Sequence, residues 1–123
     1  MAYLQREAKA VTPAIDTEQL FNITLGDSAM VREIADAVME DTSTHVALLA
    51  KAAAESDFER CAAVAHSAKG SCGNVGAAAM AELFQNAERA ARKGDASLCT
   101  GMLLEFTIEL ERMRIALDEL SQY

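Results

Sequence analysis

Residues 64–78, VAHSAKGSCGNVGAA, decide how this chain is read. The flanks are rich in alanine and favour helix. Yet the stretch carries Gly70, Gly73 and Gly76, and beside them His66, one of only two histidines in the chain. A glycine inside a helix costs about 1 kcal/mol relative to alanine. A helix that accepts that cost repeatedly has a use for a surface without side chains.

Outward from this stretch the chain reads as helix nearly throughout. Thr12 and Pro13 suggest an N-cap and first turn of a short helix running to Phe21. LGDS breaks the chain, and Asp27 then caps a long helix to about Ala54. Its apolar face is Val31, Ile34, Ala35, Val38, Thr42, His45, Val46, Leu49 and Ala52. After a break at ESD, Ser56 or Asp57 caps a third helix through Val75, with Gly76 as a helix end or kink. A fourth helix, Ala77 to Lys93, buries Met80, Leu83, Phe84, Ala87 and Ala91. Gly94 ends it and Asp95 caps the fifth. The fifth shows Leu98, Met102, Leu103, Phe106, Leu110, Met113, Leu117 and Leu120 at helical spacing. The expected fold is all-α: an antiparallel up-down four-helix bundle with a short extra N-terminal helix. Residues 1–12 are expected to be disordered, and residues 13–123 to form one helical domain.

The 123 residues suffice for one modest core. No run of about 18 apolar residues marks a membrane span, and the N-terminus lacks the apolar stretch of a signal peptide. A cytoplasmic location is therefore expected. The net charge of −8 argues against nucleic-acid or anionic-membrane binding. Cys61, Cys72 and Cys99 form no C-x-x-C pair. On one helix Cys61 and Cys72 stand about 16 Å apart, too far for a disulfide, so buried reduced thiols are expected. His45 has no acidic or cysteine neighbours at ligand spacing, and no metal site is expected.

On a wheel of about 100° per residue, Cys61, Val64, Ala68, Ser71, Cys72 and Val75 share the core side of the third helix. His66, Lys69, Gly70 and Gly73 fall opposite, with Asn74 at the edge. An exposed imidazole offers a neutral nitrogen near neutral pH. A lysine three residues on can stabilise an approaching anion. Glycines at Gly70 and Gly73 let another protein come close. A nucleophile, a cation and a cleared surface together point to phosphoryl acceptance. For the His–Lys pair alone, a solvated surface pair would be the simpler reading; the glycines at matching angles shift it.

At these residues the chain resembles the histidine-containing phosphotransfer (HPt) domain of multistep two-component signalling. That family's pattern, A-H-x-x-K-G-x-x-x-x-x-G, stands here as Ala65, His66, Lys69, Gly70 and Gly76. The resemblance covers roughly residues 16–120. It implies that His66 accepts a phosphoryl group on Nε2 from a receiver-domain aspartate and passes it to another. Lys69 would neutralise phosphoryl charge. Gly70, Gly73, Asn74 and Arg92 would belong to the docking surface. Glu88 matches a position, often glutamine, whose side chain orients the imidazole. The resemblance also implies no ATP-directed activity, no cofactor of its own, and Mg²⁺ held by the partner. Partners would be receiver domains of response regulators or hybrid histidine kinases, met by a monomer. Two alternatives share the bundle: a non-phosphorylated helical adaptor for receivers, and the phosphorylation domain of a chemotaxis-type histidine kinase, which also carries H-x-x-K-G. Met1 and an end just after the fifth helix fit a standalone protein.

Overall fold

Three aspartates set where helices begin. The computed structural model describes residues 12–95 and 101–121. Asp16 accepts from the Gln19 N–H and starts α1, Thr17–Thr24. Asp27 accepts from the Ala29 and Met30 N–H groups and starts α2, Ser28–Ala54. Asp57 accepts from Arg60 N–H and starts α3, Phe58–Asn74. Each carboxylate satisfies N–H groups that have no partner within the helix. Next come α4, Ala78–Arg92, which has no side-chain cap, and α5, Leu103–Ser121. Among the described residues there is no strand.

Short turns at residues 55–57 and 75–77 fold α2, α3 and α4 back on one another. Helix α3 packs along α4, and α2 packs against both α3 and α5. The result is a four-helix bundle, with α1 added against α2. Its centre is Phe84 against Phe106, ring centroids 4.8 Å apart, with Leu49, Cys61, Met80 and Met113 around them. Where α3 meets α4 the buried residues are small: Ala62, Ala65 and Ala68 on one helix, Ala87, Ala90 and Ala91 on the other. Small side chains let two helix backbones approach closely.

The first helix begins later than the Thr12–Pro13 pattern predicts, at Thr17 behind Asp16. The chain before it is held by distant partners instead. Thr12 donates its hydroxyl to Glu82, and its carbonyl accepts from Arg112. Ala14 and Ile15 are buried. Residues 1–11, expected to be disordered, lie outside the described residues. So do residues 96–100, which include Leu98 and Cys99 and the helix start expected behind Asp95; α5 is described from Leu103 onward.

The core side of α3 is also turned from expectation. Cys61, Ala62, Ala65, Ala68 and Cys72 are buried, whereas Val64, Ser71 and Val75 are only half-buried. The reason is that α4 covers one flank more closely than α2 covers the other. Gly76 has a local cause. Its φ is +82°, and a Cβ there would stand 3.1 Å from the Asp16 carbonyl oxygen. The Asp16 N–H donates to the Gly76 carbonyl at 2.7 Å, tying the entry of α1 to the exit of α3. Gln19 reinforces the tie by donating to the carbonyls of Gly73 and Asn74.

His45, expected to lack an acidic neighbour, has Asp41 one turn back on the same helix, with its Nδ1 3.5 Å from Asp41 Oδ2. Its Nδ1–H donates to the Asp41 carbonyl at 2.9 Å, and the ring is largely buried and edge-on to Phe84. Burial pushes the Cys72 thiol up to about 11, with a Thr42 hydroxyl contact opposing and Asp41 adding to the rise. A thiol reacts as its thiolate. Cys72 should therefore resist alkylation in the folded protein at pH 8 and react on unfolding, as mass spectrometry of labelled peptides would show. Native-state labelling at the rate of an exposed thiol would contradict this burial.

Candidate functional site

His66 sits mid-way along α3 with 66% of its side chain exposed. Its Nδ1 lies 3.2 Å from Glu88 Oε2 and 3.4 Å from Oε1. An ionised carboxylate only accepts, so Nδ1 carries the proton and donates. Nε2 then keeps its lone pair and, among the described residues, makes no hydrogen bond. This is the tautomer that a nucleophilic Nε2 requires.

Glu88 reaches the ring from α4 and is 9% exposed. A carboxylate is rarely that buried without partners. Here it has three. Arg92, one turn on along α4, donates Nη2–H at 2.7 Å and Nε–H at 3.2 Å to Oε2. Lys69 donates Nζ–H to Oε1 at 3.1 Å. His66 supplies the third. The Arg92 and then the Lys69 hydrogen bonds hold the Glu88 carboxyl down to about 2, against the opposing effect of burial. It is therefore ionised at neutral pH. One carboxylate faces two cations, which leaves the cluster one positive charge in surplus.

Lys69 stands on the flank of α3 over α4, 34% exposed, rather than fully on the open face with His66. The cause is angular: it lies about 60° around the helix from His66, toward Glu88. Arg92 is 64% exposed yet anchored to the same carboxylate. Gly70 and Gly73 continue the open face, and a Cβ at either would meet nothing within 4 Å. Relief of crowding inside the chain therefore does not explain them. Asn74 lies about 12 Å along α3 from His66, on the edge away from α4, with its carbonyl bound by Gln19. The structure thus gathers His66, Lys69, Glu88 and Arg92 into one cluster, places Gly70 and Gly73 beside it, and leaves Asn74 apart.

Sequence reasoning missed that Glu88 joins both cations, although Glu88 and Arg92 at i, i+4 were a visible signal. It also missed Gln19, whose long-range bonds to the end of α3 leave no local pattern. Among the described residues no group of three or more His, Cys, Asp or Glu side chains is placed to hold a metal. The cluster is a surface feature, with His66 and Arg92 both well exposed.

A family model described as Hpt domain matches residues 33–122. The chain belongs to the Hpt domain family. The match spans the cluster and the helices that build it. Among solved structures, this Hpt domain resembles histidine-containing phosphotransfer protein B (HptB) from Pseudomonas aeruginosa PAO1. The TM-score is 0.81 at 22% identity, covering 91% of this chain and 97% of that one. At that identity the likeness is one of fold. No curated protein sequence matches the chain. Family membership assigns the Hpt domain a part in histidine phosphotransfer, and the exposed His66 is its one surface imidazole among the described residues.

Proposed function

We propose that this Hpt domain is a phosphorelay intermediate, taking a phosphoryl group from one receiver-domain aspartate and giving it to another. The observation that carries the reading is His66, exposed, with Nδ1 engaged by Glu88 and Nε2 left to react. In the forward step the Nε2 lone pair attacks phosphorus of the aspartyl phosphate. The P–O bond breaks, its electron pair stays on the aspartate carboxylate, and the ring becomes a phosphoimidazolium with Nδ1–H retained. The Glu88 carboxylate balances the positive charge that develops on the ring. Transfer out reverses these steps onto a second aspartate. Mg²⁺ is supplied by the receiver, and the domain has no ATP-directed activity of its own.

The open face at Gly70 and Gly73 admits the receiver, and the surplus positive charge favours its phosphoryl group. A convex site on a single bundle needs no second copy, so the domain acts as a monomer. No described helix is long and apolar enough to cross a membrane, and the domain is proposed to meet its partners in the cytoplasm. The test is transfer of radiolabelled phosphate from a phosphorylated receiver. A helical adaptor would bind the receiver and take up no label.

Lys69 contributes charge without being the nucleophile. Lys69→Ala should slow uptake about ten- to a hundredfold, or ~1.4–2.7 kcal/mol in barrier. It should not abolish uptake, because His66 and the partner's Mg²⁺ remain. Rapid-quench uptake kinetics would measure this. Unchanged kinetics would remove Lys69 from the site.

A further inference from the structure

The phosphorylated ring has a second requirement, beyond a nucleophilic Nε2. For phosphoryl to leave, the P–Nε2 bond breaks and its electron pair returns to Nε2. If Nδ1 still carries its proton, neutral imidazole departs. If Nδ1 has lost it, the same step must expel an imidazolate anion, a far poorer leaving group. The proton on Nδ1 therefore decides whether the stored phosphoryl group can move on, whether to an aspartate or to water.

We propose that Glu88 is a positioning residue that keeps Nδ1 of phospho-His66 protonated, and so holds the phosphorylated domain ready for transfer. This rests on His66 being the acceptor. The geometry carries the inference. Glu88 Oε2 lies 3.2 Å from Nδ1, in a nearly buried position where charge interactions are strong. A carboxylate there favours the protonated ring. The charged groups of the cluster are Lys69 from α3 and Glu88 and Arg92 from α4. Among the described residues, no charged group of α2 or α5 is bonded to it. Arg92 and Lys69 by themselves disfavour a cationic ring. Their indirect effect is the opposite, because they hold Glu88 ionised. A neutral residue at position 88 would leave the ring facing two cations with no anion between.

Glu88→Gln tests this, because glutamine keeps the shape and an acceptor oxygen for Nδ1–H while removing the charge. The protein is phosphorylated with phosphoramidate, which needs no receiver: its P–N bond breaks, ammonia leaves, and Nε2–P forms. The decay of phospho-His66 is then followed by ³¹P NMR from pH 5.5 to 9, with ring protonation followed by ¹⁵N shifts. In Glu88→Gln the midpoint of both profiles should move down by about one pH unit. Decay at pH 8 should then be about tenfold slower, since each unit is a tenfold change in protonated fraction, and decay at pH 5.5 should match the parent. Arg92→Gln removes a cation from an exposed position, and its midpoint should move up. This variant keeps the test standing should Glu88→Gln fail to fold. Superimposed profiles, or shifts of both variants in one direction, would overturn the inference and leave His66 as the acceptor. Label absent from His66 in the parent protein would overturn the proposed function itself.

Discussion

His66→Gln should take up no phosphoryl group from a phosphorylated receiver, while His45→Gln should take it up at the parent rate. The two histidines differ in exposure and in the charged groups around the ring. His66 is 66% exposed, and its Nδ1 is engaged by a carboxylate that holds it in one tautomer. His45 is 18% exposed, packs edge-on to Phe84, and uses Nδ1 on the Asp41 carbonyl of its own helix. A receiver's aspartyl phosphate must approach in line with Nε2, and charge then spreads over the phosphoryl oxygens. Only at His66 do two cations stand within one carboxylate of the ring. Glutamine keeps bulk and polarity at an exposed helical site, so loss of uptake would report lost nucleophilicity and not unfolding. Circular dichroism melts of both variants check that. Uptake persisting in His66→Gln would move the acceptor elsewhere.

Gly70→Gln should lower the rate of phosphotransfer by tenfold or more while leaving the fold at least as stable. Gly70 lies one turn beyond His66 on the open face, and a Cβ there meets nothing within 4 Å. Helix propensity alone then favours the variant by roughly up to 1 kcal/mol. Nature's use of glycine at such a site costs stability, so its benefit lies outside the chain. A long side chain beside the imidazole would stand where the receiver's backbone must come, and the reacting atoms need near-contact geometry. Thermal melts together with rapid-quench transfer kinetics separate the two effects. Unchanged transfer would mean that the glycines do not serve docking. Gly76 offers a contrast: its positive φ and the close approach of Asp16 give it a role inside the fold.

Much of this was legible because it is local. Asp27 is a cap that the sequence declares, Asp57 is one of the two caps it offers with Ser56, and the apolar stripe of α2 follows the 3.6-residue period. The His66, Gly70 and Gly73 face followed from angles alone. What the sequence hid is tertiary. Thr12–Pro13 imitates a helix start, but Thr12 is fixed by Glu82 and Arg112, seventy and a hundred residues away. The resemblance set Glu88 beside the imidazole, but only the meeting of α3 with α4 shows it buried with three partners. Glu109 pairs with Arg112 at the local spacing i, i+3, but its burial likewise has no local signature. Sequence periodicity gives faces of single helices, whereas these placements depend on which helix lies next to which.

The claim that His66 is a phosphoryl carrier is tested most directly by the chemistry and position of the label after transfer from a phosphorylated receiver. The labelled protein is treated in parallel with acid and with alkali, then digested, and the modified peptide is sequenced by mass spectrometry. A phosphorus–nitrogen bond at His66 predicts label that is lost in acid, survives alkali, and maps to His66. Label that survives acid and is lost in alkali, or that maps to any other residue, would contradict it.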